Sequence, residues 1–186
     1  MNYCEFCNAL PESSVNPNRV YHAEAYGFPI ESDNELFGRL VLEINQAGLS
    51  WTTILNKQAA FQTAYSGFDI ASVAAYTETD RKRLLADAGI VRNRLKINAV
   101  IDNAQQILCL QQEYGSFKNW LDAHHPLPLA QWVKLFKRHF KFVGSEIVNE
   151  FLMSTGYLKG AHAEDCPVYD KILAQKPKWA QNPDHV

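Results

Sequence analysis

One carboxylate, Glu43, falls on the apolar side of a predicted helix that stops at a glycine and restarts with an aromatic: Glu43-Ile44-Asn45-Gln46-Ala47-Gly48-Leu49-Ser50-Trp51. Leu36, Phe37, Leu40, Val41 and Ile44 recur at helical spacing, and Glu43, seven residues after Leu36 and three after Leu40, shares their face. An ionised carboxylate in apolar surroundings is costly unless a cation or several donors meet it, so this arrangement points to a pocket whose ligand is the missing partner. The alternative is a carboxylate at the edge of the stripe that reaches solvent or pairs with an arginine.

A second set is suited to metal chemistry. His162 and Cys166 stand four apart, and Cys4 and His22 lie near the other end of the chain. A Cys2His2 set with no open position describes a structural zinc, which would clip the N-terminal arm to a C-terminal segment poor in apolar residues. The rival is Cys4-Glu5-Phe6-Cys7, a CxxC that supplies both thiols in place of His22.

A third set is basic. Gly89-Ile90-Val91-Arg92-Asn93-Arg94 is a tight connection into a long predicted helix. Backbone amides at that helix start, with Arg92, Arg94 and Lys96, make a site for one or two phosphates, the logic by which a helix-hairpin-helix grips a DNA backbone without reading bases. The alternative is a solvated basic turn. A further run, Lys134, Lys137, Arg138, His139 and Lys141, extends the track, with the interleaved Leu135, Phe136, Phe140 and Phe142 read as core.

The elements that must position these residues are helices. Ser32 to Glu35 is a capping box for the Glu43 helix; Ser50 caps a helix from Trp51 to about Tyr65; Asp69 caps a short one through Tyr76; Thr77 to Asp80 opens another that ends near Gly89. Leu95, Ile97, Val100, Ile101, Ala104, Ile107 and Leu108 form the apolar stripe of the long helix, and further helices are expected near 117–124, 129–139 and 146–155. Convincing strand alternation is absent, and the fold class is all-α. With 186 residues and 47% hydrophobic content, the expectation is one helical domain over residues 1–175 with a loosely ordered tail at 176–186. The net charge of -2 requires any nucleic-acid binding to come from a local patch. The N-terminus is too polar for a signal peptide and no apolar run approaches membrane-spanning length, which predicts a cytoplasmic protein; four dispersed cysteines there are thiols or metal ligands rather than disulfides.

Taken in chain order, these motifs resemble the 3-methyladenine DNA glycosylase I family. The matching residues are Cys4, Tyr21-His22, Glu43, Gln46-Ala47-Gly48-Leu49-Ser50-Trp51, Ala88-Gly89-Ile90-Val91-Arg92-Asn93-Arg94 with Lys96-Ile97, Phe140-Lys141-Phe142-Val143-Gly144, and His162 with Cys166. The resemblance implies a helix-hairpin-helix glycosylase acting on double-stranded alkylated DNA as a monomer with no obligate protein partner. It further implies one zinc held by Cys4, His22, His162 and Cys166, with Cys7 a bystander, and a base pocket built around Tyr21, Glu43 and Trp51. N3-methylation leaves adenine cationic, so its glycosidic bond is already weakened: stacking on Trp51, contact with Tyr21 and hydrogen bonds to Glu43 supply recognition and catalysis together. Gly48 and Leu49 beside the pocket offer close approach and an apolar wedge for the hole that a flipped base leaves; alternatively Leu49 packs between helices. The chain departs from the family pattern at Phe6, at Tyr26 where a tryptophan is usual, in a short segment between Trp120 and Trp132, and in the acidic helix carrying Glu146, Asn149 and Glu150. Two other readings stay open: a glycosylase for a different alkylated base, and a non-enzymatic zinc-clipped DNA-binding module.

Overall fold

Short-range capping sets where the helices begin. In the computed structural model, which describes residues 2–11 and 13–181, the Ser32 side chain accepts from the Glu35 amide, Ser50 from Thr53, and Asp69 from Ser72, while Thr77 and Asp80 cap reciprocally. Every helix and strand assignment among the described residues is helical. The helices are α1 (Tyr3–Asn8), α2 (Pro17–Glu24), α3 (Asp33–Gln46), α4 (Trp51–Asn56), α5 (Gln58–Ala64), α6 (Ile70–Ala74) and α7 (Glu78–Ala86). There follow α8 (Arg94–Tyr114), α9 (Phe117–His124), α10 (Leu129–His139), α11 (Ser145–Ser154), α12 (Tyr169–Ala174) and α13 (Lys178–Gln181).

The Glu43 helix, α3, is the hub, packing on α4, α8, α9 and α11. Its apolar residues Leu36, Phe37, Leu40 and Val41 are fully buried, and the same core takes in Ile97, Val100 and Ile101 of α8. On the far side, Phe117, Trp120, Trp132, Phe136, Phe140 and Phe151 join α9, α10 and α11 in one aromatic layer. This layer seats α11 against α3, and that contact builds one wall of the pocket described below.

Several expectations need correction. The helix expected from Trp51 to Tyr65 breaks at Lys57 (φ -100°, ψ 0°), and the Lys57 ammonium turns to the carbonyls of Ala88 and Gly89, at 3.1 and 3.2 Å. Leu95, assigned above to the apolar stripe, is 69% exposed, and Phe142, read as core, is also exposed. The tail is not loose from residue 176: Pro177 is buried, Trp179 packs on Tyr169 with ring centroids 6.0 Å apart, and Lys178 pairs with Asp122 at 3.3 Å. Residues 182–186, the rest of that expected tail, lie outside the described residues. Among the described residues no helix is long and apolar enough to cross a membrane.

Candidate active site

Five helices line a cavity of about 570 Å³, α1 contributing Tyr3. Tyr21 comes from α2, Glu43 from α3, Trp51 from the start of α4, and Glu146 and Glu150 from successive turns of α11, with Gly48 at the rim and Tyr26 in the wall. Glu43 is 4% exposed, and burial pushes its carboxyl up to about 8; repulsion from Glu150 adds to this and attraction to Arg39 opposes it. No hydrogen bond from the described residues stabilises its charged form. The rings of Tyr21 and Trp51 lie 5.1 Å apart at 59°, and the Trp51 indole N–H is buried without a partner. The pocket therefore holds an under-satisfied acid beside aromatic faces, which favours a flat, cationic, hydrogen-bonding guest.

Arg39 completes this geometry and was not singled out in the sequence. One turn before Glu43 on α3, its guanidinium donates to the Tyr21 hydroxyl at 3.1 Å and the Ser154 carbonyl at 3.0 Å, and lies 5.0 Å over the Tyr21 ring. Because its donors serve Tyr21 and Ser154, Arg39 orients the phenol and lowers the cost of Glu43 ionisation without joining it in a hydrogen bond. The signal was an arginine at the i−4 position of the buried carboxylate.

Behind the pocket wall, Cys4, His22, His162 and Cys166 are all buried, with one ligand atom from each within 4.8 Å of the others. His162 Nε2 donates to the Tyr26 carbonyl at 2.8 Å, which leaves Nδ1 facing Cys166 Sγ at 3.4 Å and Cys4 Sγ at 3.7 Å. His22 Nε2 is 3.6 Å from Cys166 Sγ, and burial pushes this imidazole down to about 4, so it is neutral, the form that binds metals. Asn8 donates to Cys166 Sγ at 3.8 Å. Such a closed set of two sulfurs and two nitrogens can hold a metal ion. Cys7 stands apart, its thiol directed to the Asn18 carbonyl at 3.6 Å, so the cluster is built from the histidines rather than the CxxC.

The basic hairpin needs one correction. Arg92 and Arg94 are exposed at the start of α8, where the Asn93 side chain caps the amides of Leu95 and Lys96, and Arg94 makes a 3.4 Å pair with Glu78. Lys96 is not an outward phosphate ligand. It is 4% exposed, and its ammonium donates to the carbonyls of Asn45 at 2.9 Å and Ala47 at 2.6 Å, 5.8 Å from the Phe142 ring centroid. Helical spacing puts residue 96 on the inward face, and the orphan carbonyls at the end of α3 satisfy its charge there. Lys96 thus ties the hairpin to the segment carrying Gly48 and Leu49. Gly48 has φ +82° with open space where a Cβ would stand, and Leu49 is 40% exposed rather than packed between helices. The Gly89 amide donates to Asp87 Oδ1 at 2.7 Å, which shapes the hairpin turn.

The sequence pattern of the methyladenine glycosylase family matches residues 13–131. The chain belongs to that family. A relative, DNA-3-methyladenine glycosylase 1 of Escherichia coli (strain K12), is 35% identical over 169 residues, covering 81% of this chain and 90% of the relative. The DNA-3-methyladenine glycosylase of Haemophilus influenzae is 30% identical over 166 residues, 79% of this chain and 89% of the relative. Among solved structures, 3-methyladenine DNA glycosylase I from Staphylococcus aureus superposes with a TM-score of 0.78 at 34% identity, over 91% of this chain and 97% of that one. A tyrosine-to-phenylalanine variant of a 3-methyladenine DNA glycosylase I, in complex with 3-methyladenine, gives the same TM-score of 0.78 at 32% identity, over 91% and 98% of the two chains. Membership in the family agrees with the all-α architecture and with the resemblance drawn from the motifs.

Proposed function

We propose that this protein is a DNA repair glycosylase that flips 3-methyladenine out of alkylated duplex DNA and hydrolyses its glycosidic bond, leaving an abasic site. The observation that carries the reading is Glu43: a buried carboxyl without a hydrogen-bonded counter-ion, in a cavity walled by Trp51 and Tyr21. A cationic base supplies the counter-charge that burial withholds, and Glu43 accepts hydrogen bonds from its edge while the aromatic rings take its faces. Water adds to C1′ as the C1′–N9 bond breaks; the bond's electron pair neutralises the departing base, and the water's proton is released. The base is its own good leaving group, so no strong acid is required. Glu43 is the acidic residue deepest in the cavity and is also able to orient that water. No lysine lines the cavity among the described residues, so no Schiff base forms and the strand is not cleaved.

Around this centre, the exposed Leu49 with Gly48 fills the gap in the duplex, and Gly89, Arg92 and Arg94 hold phosphates in the manner of a helix-hairpin-helix. The Cys4, His22, His162 and Cys166 cluster holds one structural zinc. Tetrahedral zinc with bonds of about 2.3 Å to sulfur and 2.0–2.1 Å to nitrogen separates S from N by about 3.5 Å, close to the 3.4 to 3.7 Å found among these atoms. When bound, that ion supplies a cross-link between the two ends of the chain. Chromatography of bases released from methylated duplex DNA tests the whole reading: 3-methyladenine appears without strand breaks and without a borohydride-trapped adduct. Its absence from the released bases overturns the assignment.

A further inference from the structure

Tyr26 and Glu150 meet in the wall of the pocket although they are 124 residues apart. The Tyr26 hydroxyl donates to Glu150 Oε2 at 3.2 Å. Tyr26 has little freedom: it is 9% exposed, its ring is edge-on to Tyr3 at 5.5 Å and tilted on Tyr21 at 5.6 Å, and its carbonyl accepts from His162. The phenol therefore holds one Glu150 oxygen and leaves the rest of the carboxylate available to the cavity. Opposite stands Glu43, nine-tenths buried and unpartnered, and Glu146 sits exposed at the mouth. Among the residues lining the cavity there are three carboxylates and no lysine, arginine or histidine.

We propose that Glu150, positioned by Tyr26, is a second anionic contact for the flipped base, and that with it the pocket selects alkylated purines by their positive charge. The inference rests on the glycosylase reading above and goes beyond it by naming a specificity-determining pair. Its physical basis is the burial of two carboxylates in the wall of one low-dielectric cavity. Burial raises Glu43, with Arg39 opposing and repulsion from Glu150 adding to it, and burial raises Glu150, with repulsion from Glu146 adding, so each is ionised at a cost that a bound cation removes. Tyr26 lowers that cost for Glu150 by donating to its charged form. A purine alkylated at N3 or N7 within DNA carries a positive charge and gains from both carboxylates. An unmodified purine is neutral and gains from neither.

Quenching of tryptophan fluorescence measures this with two probes at mildly alkaline pH: 3,9-dimethyladeninium, which is cationic there, and free 3-methyladenine, which is then neutral. Glu150→Gln keeps the volume and removes the charge. We expect the cation to bind about tenfold more weakly, the size of one lost charge-assisted hydrogen bond, and the neutral base to change less than about twofold. Tyr26→Phe removes one hydroxyl and leaves Glu150 in place; it loses cation affinity in the same selective sense but by a smaller factor. This variant decides the matter if Glu150→Gln does not fold. Equal losses for the two probes, or no loss for either, overturn the inference. Wild-type protein that binds neither probe would count instead against the glycosylase reading on which it rests.

Discussion

In the cluster of Cys4, His22, His162 and Cys166, every buried heteroatom faces another at ligand distance; across Tyr26, the buried Glu43 has no such partner. The two clusters share one residue, since the Tyr26 carbonyl accepts from His162 while its hydroxyl donates to Glu150. Each buries polar groups, which is unfavourable unless something meets them. A single ion would complete the first, which in the proposed reading serves stability. In the reading proposed above a cationic guest completes the second, and its cost to the folded state would be the source of its affinity.

The largest expected effect comes from opening the complete cluster. Cys166→Ser should reduce metal from about one zinc per chain towards zero by elemental analysis and cost several kcal/mol. At about 2–4 °C per kcal/mol for a chain of this size, the melting temperature falls by roughly 10 °C or more. Zinc-free protein with an undiminished melting temperature would dissolve the contrast, and loss of metal on Cys7→Ser but not on His22→Ala would restore the CxxC alternative.

In the incomplete cluster, Glu43→Gln should move activity and stability in opposite directions. Excision from methylated DNA weakens by about 1.5 to 3 kcal/mol, the value of a charge-assisted hydrogen bond. For stability the sign follows from an acid raised from 4.5 to about 8 in the folded state. The folded protein then binds the proton more tightly than the unfolded chain, so the contribution is fully present below the unfolded value and is lost as pH rises through about 8. Wild-type melting temperature should decline across that window, and the variant should lack this decline. Parallel melting curves against pH would show that Glu43 carries no such burden.

A smaller effect separates Lys96 from its exposed neighbours. Lys96→Met leaves two carbonyls without a donor, costing about 1–3 kcal/mol, with no change in the salt dependence of DNA binding. Arg92→Ala should do the reverse, keeping stability while making the slope of log affinity against log salt shallower by about 0.9. A shallower slope in Lys96→Met would return that ammonium to the phosphates. Smallest in stability is Leu49→Ala, because the side chain is already exposed; rates of excision should fall more on duplex than on single-stranded DNA. Equal slowing on both, with a lowered melting temperature, would make Leu49 a packing residue.

Much of this was legible in the chain because the interactions are local. Ser32, Ser50, Asp69 and Thr77 cap helices through contacts three residues away, and Glu43 stands out because helical periodicity alone puts it among leucines. Cys4, His22, His162 and Cys166 could be assembled as one set of donor types, though spacing did not decide between His22 and Cys7.

What sequence determined by itself, then, was the helical class, the starts of several helices, the inward carboxylate and a short list of ligating and basic residues. Tertiary structure alone decided which of those residues face which. Leu95 and Lys96 exchange the environments their chemistry suggests, because the carbonyls at the end of α3 lie beside α8 and satisfy a buried ammonium there. Trp179 docks the terminal segment on Tyr169, and Tyr26 reaches Glu150. Periodicity records which side of its own helix a residue occupies; the field and the partners it meets come from other helices, brought close by core packing between residues far apart in the chain.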